Sequence, residues 1–495
     1  MPRHYEHWIN NAEVKPSTGS YLKRFSPAHG EFLAEFPEGS AADVDQAAKA
    51  ARARFEDAES WSKLPGSVRS KLLADWAALI ERDIESLSVM EAEEVGKPIE
   101  SAKGEIAWSI ELIRYASSQA WELGGDAYNN VGAGKLALMT REPRGVVGMI
   151  LPWNYPMVTM MQKLPYALAA GCTTVIKSSE LTSGTTFAVA RLAAEAGIPA
   201  GVINVVTGLG AEVGDAISRH PEIDMVSFTG STAVGQIISK AAAETNKYVA
   251  LELGGKSANI VFADADIDAA LDGVLLGFTL NQGEECVAGS RLLVEESIAE
   301  EFVARLVKRA NKVKVGLPLD SETQVGALIH EQHMNKVLEY IQSGIEAGAE
   351  LRCGGKRVTE GGLGGGFFVA PTIFSGVTPE MKIFQEEIFG PVLTVTTFRE
   401  QSEAVDLANN TVYGLGNGVW TKDIDKAILV SEKLRSGTVY VNTYFETTPQ
   451  VPFGGYKASG VGRENGRSGL LEFTETKSTF ISLGERVKAL PNTVD

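Results

Sequence analysis

Cysteine is scarce in this chain: Cys172, Cys286 and Cys353 are the only three among 495 residues. An odd, sparse set excludes a disulfide framework and reads as free thiols in a reducing compartment. Basic residues are in deficit, 46 Lys and Arg against 63 Asp and Glu, for a net charge of −17 and a pI ≈ 5.0. Such a balance argues against broad nucleic-acid binding, which needs a basic footprint. No apolar run reaches the ~18 residues of a membrane span. The most apolar stretch, 145–161, is interrupted by Pro152, Asn154 and Pro156. The opening MPRHYEHWIN has no apolar core, so no secretory signal is expected and a cytoplasmic location is the default. What remains, 44% hydrophobic and 22% charged residues, is an ordinary globular composition. At roughly 150 residues per domain, the length suggests about three domains.

Two textures follow one another. Residues 40–125 carry apolar side chains at helical spacing with charges between them. From Gly145 onward, short β-rich runs appear at 145–150, 173–177, 202–206, 225–229 and 249–253. Ala-rich helical segments separate them, at 185–196 and 232–243. Strands alternating with helices predict βαβ units and a parallel sheet. A second alternating region holds helices at 267–280, 298–312 and 333–347 and strands at 291–296, 367–374 and 392–398. GGLGGG at 361–366 reads as a flexible loop before a strand. With no repeat and no long linker, two interleaved α/β domains fit best.

Several residues could carry chemistry. Cys286, in NQGEECVAGSR, follows a glycine turn where a nucleophile can be exposed, although a lone Cys also serves as a small buried hydrophobe. Glu252 ends an apolar run before Gly254-Gly255. Burial there would raise its pKa and suit a general base, while capping the next turn is the plainer alternative. Gly208, Gly210 and Gly214 follow a strand, and Phe228-Thr229-Gly230-Ser231 precedes a helix with Gly235 one turn in. A helix N-terminus with Ser and Gly is a natural diphosphate site, but either cluster could be only a tight turn. In Leu151-Pro152-Trp153-Asn154-Tyr155-Pro156 two prolines fix the loop around an amide able to donate to an oxyanion, and a plain Asn turn is the commoner case. His330 and His333 are spaced i, i+3, which misses the i, i+4 of a zinc motif. They read as a surface helix, and no metal is expected.

Taken together, LPWNYP (151–156), VIKSSE (175–180), FTGSTAVG (228–235), LELGGKS (251–257), NQGEECVAGSR (281–291), EEIFGPV (386–392) and PFGGYKASGVGRENG (452–466) resemble the NAD(P)-dependent aldehyde dehydrogenase superfamily. The resemblance runs from about residue 20 to residue 480. It implies an aldehyde dehydrogenase-like α/β fold. A doubly wound parallel-sheet NAD domain would occupy 1–123 and 144–253, a second α/β catalytic domain 254–471, and a small β oligomerisation arm 124–143 and 472–495. It implies Cys286 as the nucleophile, Glu252 as the base for a hydrolytic water, and the Asn154 amide with the Cys286 N–H as oxyanion donors. Lys163 and Glu464 match a family proton relay, with a structural ion pair as the alternative. The cofactor wall implied is Ile150, Leu151, Pro152, Trp153, Lys177, Ser179, Glu180, Gly210, Gly214, Phe228, Thr229, Gly230, Ser231, Leu253, Gly254, Glu387 and Phe389. Glu180 favours NAD, because a carboxylate accepts a ribose hydroxyl but repels a 2′-phosphate; NADP stays open.

Two departures stand out. Ser178 replaces the family's usual Pro, and Glu285 places a second carboxylate directly before Cys286. Like-charge repulsion should raise the thiol pKa, unless Glu285 points away or serves the substrate. The resemblance puts Tyr155, Gln162, Glu285, Val287, Phe445 and Phe453 around a substrate tunnel, with Glu446 beside it. Aromatics with carboxylates suit an amino- or ammonio-aldehyde, although Gln162 stands where that branch usually has Trp. A semialdehyde or a broad aliphatic or aromatic aldehyde is the alternative. Glu252 argues against a CoA-acylating enzyme, and the presence of all three central residues against a non-catalytic homologue. LALMTREP (136–143) and TKSTFISL (476–483) read as exposed strands needing a partner, so a homo-oligomer, dimer or tetramer, is expected.

Overall fold

The computed structural model describes residues 2–484. The helical region forms first: Ala41–Glu56, Gly66–Arg82, Ile84–Val95 and the long helix Ile99–Gln119. Ser40 and Asp43 cap the first of these reciprocally, each side chain meeting the other's backbone N–H region. The β-rich runs then build an eight-stranded sheet. Its order is 460–461, 248–252, 225–229, 146–150, 173–177, 203–205, 7–9 and 12–14. The five strands from Tyr248–Glu252 to Ile203–Val205 are parallel. Val146–Ile150, Thr173–Lys177 and Ile203–Val205 are buried along their whole length. Helices cover both faces, which is why these runs lack polar alternation.

The parallel part of this sheet begins at Val146–Ile150, winds outward through Thr173–Lys177 and Ile203–Val205, then returns to the other side at Met225–Thr229. The strand order therefore reverses between Val146–Ile150 and Met225–Thr229. Their carboxyl ends leave a crevice there, the usual place for a ligand in such a sheet. A second, seven-stranded sheet has the order 350–353, 372–375, 392–398, 291–295, 258–261, 416–420 and 438–441. It is parallel except for its edge strand Glu350–Cys353.

Three features differ from the sequence expectations. The run 367–374 is two strands, Phe368–Val369 and Thr372–Ser375, separated at Pro371, which has no N–H to give a ladder. The N-terminal strand His7–Ile9 joins the large sheet antiparallel, with Trp8 opposite Val205; at three residues it carries no readable alternation. The two strands expected to need a partner find one in each other. Thr474–Ser482 pairs with Lys135–Pro143, which also pairs with Asp126–Tyr128. Residues 485–495 of the expected arm lie outside the described residues.

Candidate active site

Three loops meet over the crevice. The first leaves Val146–Ile150 through Pro152, Trp153, Asn154 and Tyr155 and enters the short helix Pro156–Met161, whose first position is proline. Glu105, from Ile99–Gln119, accepts from the backbone N–H groups of Met157 and Val158 at 3.1 and 3.0 Å. A buried carboxylate at that N-terminus fixes the loop before it. The Asn154 Nδ2 donates to the Glu284 carbonyl at 2.9 Å, and Asn281 Nδ2 donates to the Asn154 carbonyl at 3.2 Å. An amide nitrogen carries two hydrogens, so one of Asn154's is left for a ligand.

The second loop carries the nucleophile candidate. Asn281 and Gln282 adopt left-handed backbone, φ 51° and 54°, turning the chain out of helix Ile267–Thr279. The adjacent carboxylates then diverge. Glu284 is fully buried and accepts from Ile329 N at 2.9 Å and Gln282 Nε2 at 3.0 Å. Burial pushes it up to about 8. Glu285 lines the cavity, and the Cys286 Sγ–H points to its Oε1 at 3.5 Å. Burial, then the charges of Glu285, Glu387 and Glu252, hold the thiol well above its ordinary range.

The third loop follows Tyr248–Glu252. Glu252, the last residue of that strand, is buried with its Oε2 unpartnered. Burial pushes its carboxyl up to about 8, against the opposing pull of Lys163 and Arg463. The three loops enclose a cavity of about 950 Å³, and Asn154, Glu252 and Cys286 all line it. Thiol, unpartnered carboxylate and amide donor thus share one space.

The sequence pattern of the aldehyde dehydrogenase family matches residues 14–479. The chain belongs to this family. The chain of this aldehyde dehydrogenase is 45% identical over 455 residues to betaine aldehyde dehydrogenase of Bacillus subtilis (strain 168), covering 92% of this chain and 93% of that one. It is 45% identical over 486 residues to cytosolic aldehyde dehydrogenase 1 of Rattus norvegicus, covering 98% and 96%. Among solved structures, the NAD-dependent aldehyde dehydrogenase from Sinorhizobium meliloti superimposes with a TM-score of 0.96 at 46% identity over 98% of this chain and 96% of that one. A betaine aldehyde dehydrogenase from Staphylococcus aureus in complex with NAD+ gives 0.96 at 38% identity, covering 99% of both.

In this aldehyde dehydrogenase the expected cofactor residues fall into two groups. Pro152, Trp153, Thr229, Gly230, Ser231, Leu253, Gly254, Glu387 and Phe389 line the same cavity as the thiol. Ile150, Leu151, Lys177, Ser179, Glu180 and Phe228, on or next to strands of the first sheet, lie outside it, as do Gly210 and Gly214 at the ends of a short helical turn. Ser231 caps Thr232–Ala243, accepting from Val234 N. Glu387 Oε1 accepts from Gly255 N at 2.9 Å, and Lys177 Nζ meets Glu180 Oε2 at 2.8 Å. A capped helix N-terminus suits a diphosphate and acceptor carboxylates suit ribose hydroxyls, so the residues fit a dinucleotide.

Lys163 and Glu464 are in direct contact as a buried ion pair, with Lys163 Nζ also on Thr229 Oγ1 at 2.6 Å. Neither lines the cavity. Of the substrate candidates, Tyr155, Gln162, Glu285, Val287, Phe445 and Phe453 line it, whereas Glu446 is exposed on the loop beyond Phe445. Contributors without a sequence signal include Trp108 and Glu100 from Ile99–Gln119 and Tyr440 from Thr438–Val441, and His333 also lines the cavity. The surface reading of His333 is corrected here. Its ring is buried, its Nε2 lies 2.7 Å from the Phe389 carbonyl, and it packs edge-on against Trp153 at 5.5 Å. Its spacing from His330 comes from a helix cap: His330 Nδ1 accepts from His333 N.

Proposed function

We propose that this enzyme oxidises an aldehyde to the carboxylic acid with NAD, through a covalent intermediate on Cys286. The reading is carried by the convergence of the Cys286 thiol, the unpartnered Glu252 carboxylate and the Asn154 amide on one cavity beside the capped helix of Ser231. When bound, the nicotinamide supplies the hydride acceptor. Cys286 sulfur adds to the aldehyde carbon, and the Asn154 amide with the Cys286 N–H receives the oxyanion. Oxidation leaves an acyl group on sulfur. Glu252 then takes a proton from water, which attacks the thioester and frees the acid. Lys177, Glu180, Ser231 and Glu387 would hold the dinucleotide, with the Glu180 carboxylate setting NAD above NADP. We assign 1–123 and 144–253 to cofactor binding, 254–471 to catalysis, and 124–143 with 472–495 to oligomerisation.

The substrate class we favour is an amino- or ammonio-aldehyde. Tyr155, Tyr440, Phe445 and Phe453 offer ring faces, and Glu285 adds negative charge. The betaine aldehyde dehydrogenase among the similar chains supports the same choice. Three free cysteines suit a reducing, cytoplasmic setting. The test is NADH formation without CoA from betaine aldehyde, an aminoaldehyde, succinic semialdehyde, a straight-chain aldehyde and benzaldehyde, with NAD and NADP in parallel. Turnover abolished by Cys286→Ala, best with NAD and a cationic aldehyde, is expected. Turnover only with CoA would overturn the hydrolytic route, and a preference for neutral aldehydes would overturn the substrate class.

A further inference from the structure

The covalent route needs the Cys286 proton to leave, and the thiol sits among groups that oppose its ionisation. Around the Cys286–Glu285 pair lie Tyr155, Tyr440 and Tyr444, the amines of Lys97 and Lys163, and the carboxyls of Glu252 and Glu387, and the Tyr444 hydroxyl donates to the Val287 carbonyl at 2.9 Å. A thiol in that field does not lose its proton to solvent readily at neutral pH. Among the described residues, the one hydrogen-bond acceptor in contact with Sγ is Glu285 Oε1, at 3.5 Å. The same oxygen lies 3.5 Å from the Val287 N–H, which aims the carboxylate back across its neighbour.

Behind Glu285 the structure is arranged to hold a carboxylate. Tyr155 lines the same cavity beside it. Lys97 Nζ lies 4.0 Å from the centre of the Tyr155 ring, held there by its buried ion pair with Glu105. Glu105 in turn holds the N-terminus of Pro156–Met161, so the loop bearing Tyr155 and Asn154 and the support for Glu285 are one unit. Glu252 has no hydrogen bond to Sγ, and its Oε2 is unpartnered.

We propose that Glu285 is the proton acceptor for the Cys286 thiol, a role separate from that of Glu252. This rests on the reading of Cys286 as the nucleophile. In the step, the S–H bond breaks, its electron pair stays on sulfur, and the proton passes to Glu285 Oε1. The sulfur pair forms the C–S bond while the carbonyl π pair moves to oxygen. When the thioester later breaks, the departing sulfur recovers the proton from Glu285, and the proton of the attacking water goes to Glu252. Two anions in contact are strongly disfavoured, so thiol and Glu285 share a single proton over the neutral range, and the pair titrates as a unit.

The test is alkylation of full-length enzyme by iodoacetamide from about pH 5 to about pH 10, scored at the Cys286 peptide by mass so that Cys172 and Cys353 do not count. It needs neither substrate nor cofactor, so its outcome is distinct from a failure of turnover. Wild-type enzyme is expected to alkylate at a rate that is flat across neutral pH. Glu285→Gln should lose that plateau and react at least ~10²-fold more slowly near pH 7, the low end of a general-base effect. Glu252→Gln should keep the plateau while losing turnover. Equal or faster alkylation in Glu285→Gln would make Glu285 only a repelling charge and overturn the proposal. Loss of the plateau in Glu252→Gln would overturn it in favour of Glu252. Should Glu285→Gln fail to fold, judged by circular dichroism, the wild-type profile decides alone: a single rise above about pH 9 is then the overturning result.

Discussion

Carboxylates one residue apart can have unrelated chemistry when the backbone turns between them. Glu284 and Glu285 follow two residues of left-handed backbone; one is absorbed by the Ile329 amide and the other reaches sulfur. Glu252 has a third situation, a strand end with one oxygen unpartnered. Because burial lifts its carboxyl to about 8, it is largely protonated at neutral pH and serves as a base only once ionised. Its activity therefore appears as pH rises through about 8 and is lost as pH falls below it. Thioester hydrolysis, followed as steady-state kcat against pH, should climb across that range in wild-type enzyme. Glu252→Gln should flatten the profile and lower kcat by about 10²–10⁴. A wild-type kcat unchanged from about pH 6 to about pH 9 would exclude Glu252 as the titrating base. Asn154, Glu252 and Cys286 were readable in the sequence because each sits in a short motif whose turn residues are its neighbours. Trp108, Tyr440 and His333 were not, since each reaches the cavity from a distant segment and looks locally like an ordinary helix or strand residue.

The elements meet closely enough to bring these groups together only because two glycines follow Glu252. A Cβ on Gly254 would lie 2.5 Å from Glu387 Oε2, and one on Gly255 would lie 2.2 Å from the Cys286 carbonyl oxygen. The first neighbour is a side chain, but the second is backbone and cannot swing aside. Gly255→Ala should push the Cys286 loop away from the Tyr248–Glu252 strand. A shift of about 1 Å at a reacting group costs roughly 10²-fold in rate, and overpacking about 1–3 kcal/mol in stability. Kinetics together with thermal unfolding would register both losses; an alanine variant with wild-type kcat would mean that the approach is not needed. At this scale the central parallel strands were legible as unbroken buried runs. Two things were not. The strand His7–Ile9 is too short to show a period, and the gap at Pro371 depends on backbone hydrogen bonding that periodicity does not report.

Across the whole molecule, the three-stranded arm leaves a long strand largely uncovered by its own chain among the described residues. Thr474–Ser482 pairs along all nine residues with Lys135–Pro143 on one side and, among the described residues, forms the outer edge of that sheet. Most of its side chains are exposed, and Phe480 is 80% exposed. A long, open edge with an exposed aromatic is a site for pairing with another chain, and the proposed occupant is a second copy. Such pairing would cover Phe480 without altering the crevice between Val146–Ile150 and Met225–Thr229, which each chain builds for itself. Phe480→Asp changes a side chain the monomer does not bury, so the fold of one chain should survive it. It would, however, set charge against charge across a paired edge. Sedimentation velocity should therefore find wild-type enzyme as a dimer or tetramer and the variant shifted toward the 52.9 kDa single chain, with the circular dichroism of the two alike. A wild-type protein that sediments as one chain would remove the arm's proposed role, and a variant that stays assembled would place the contact on some other face.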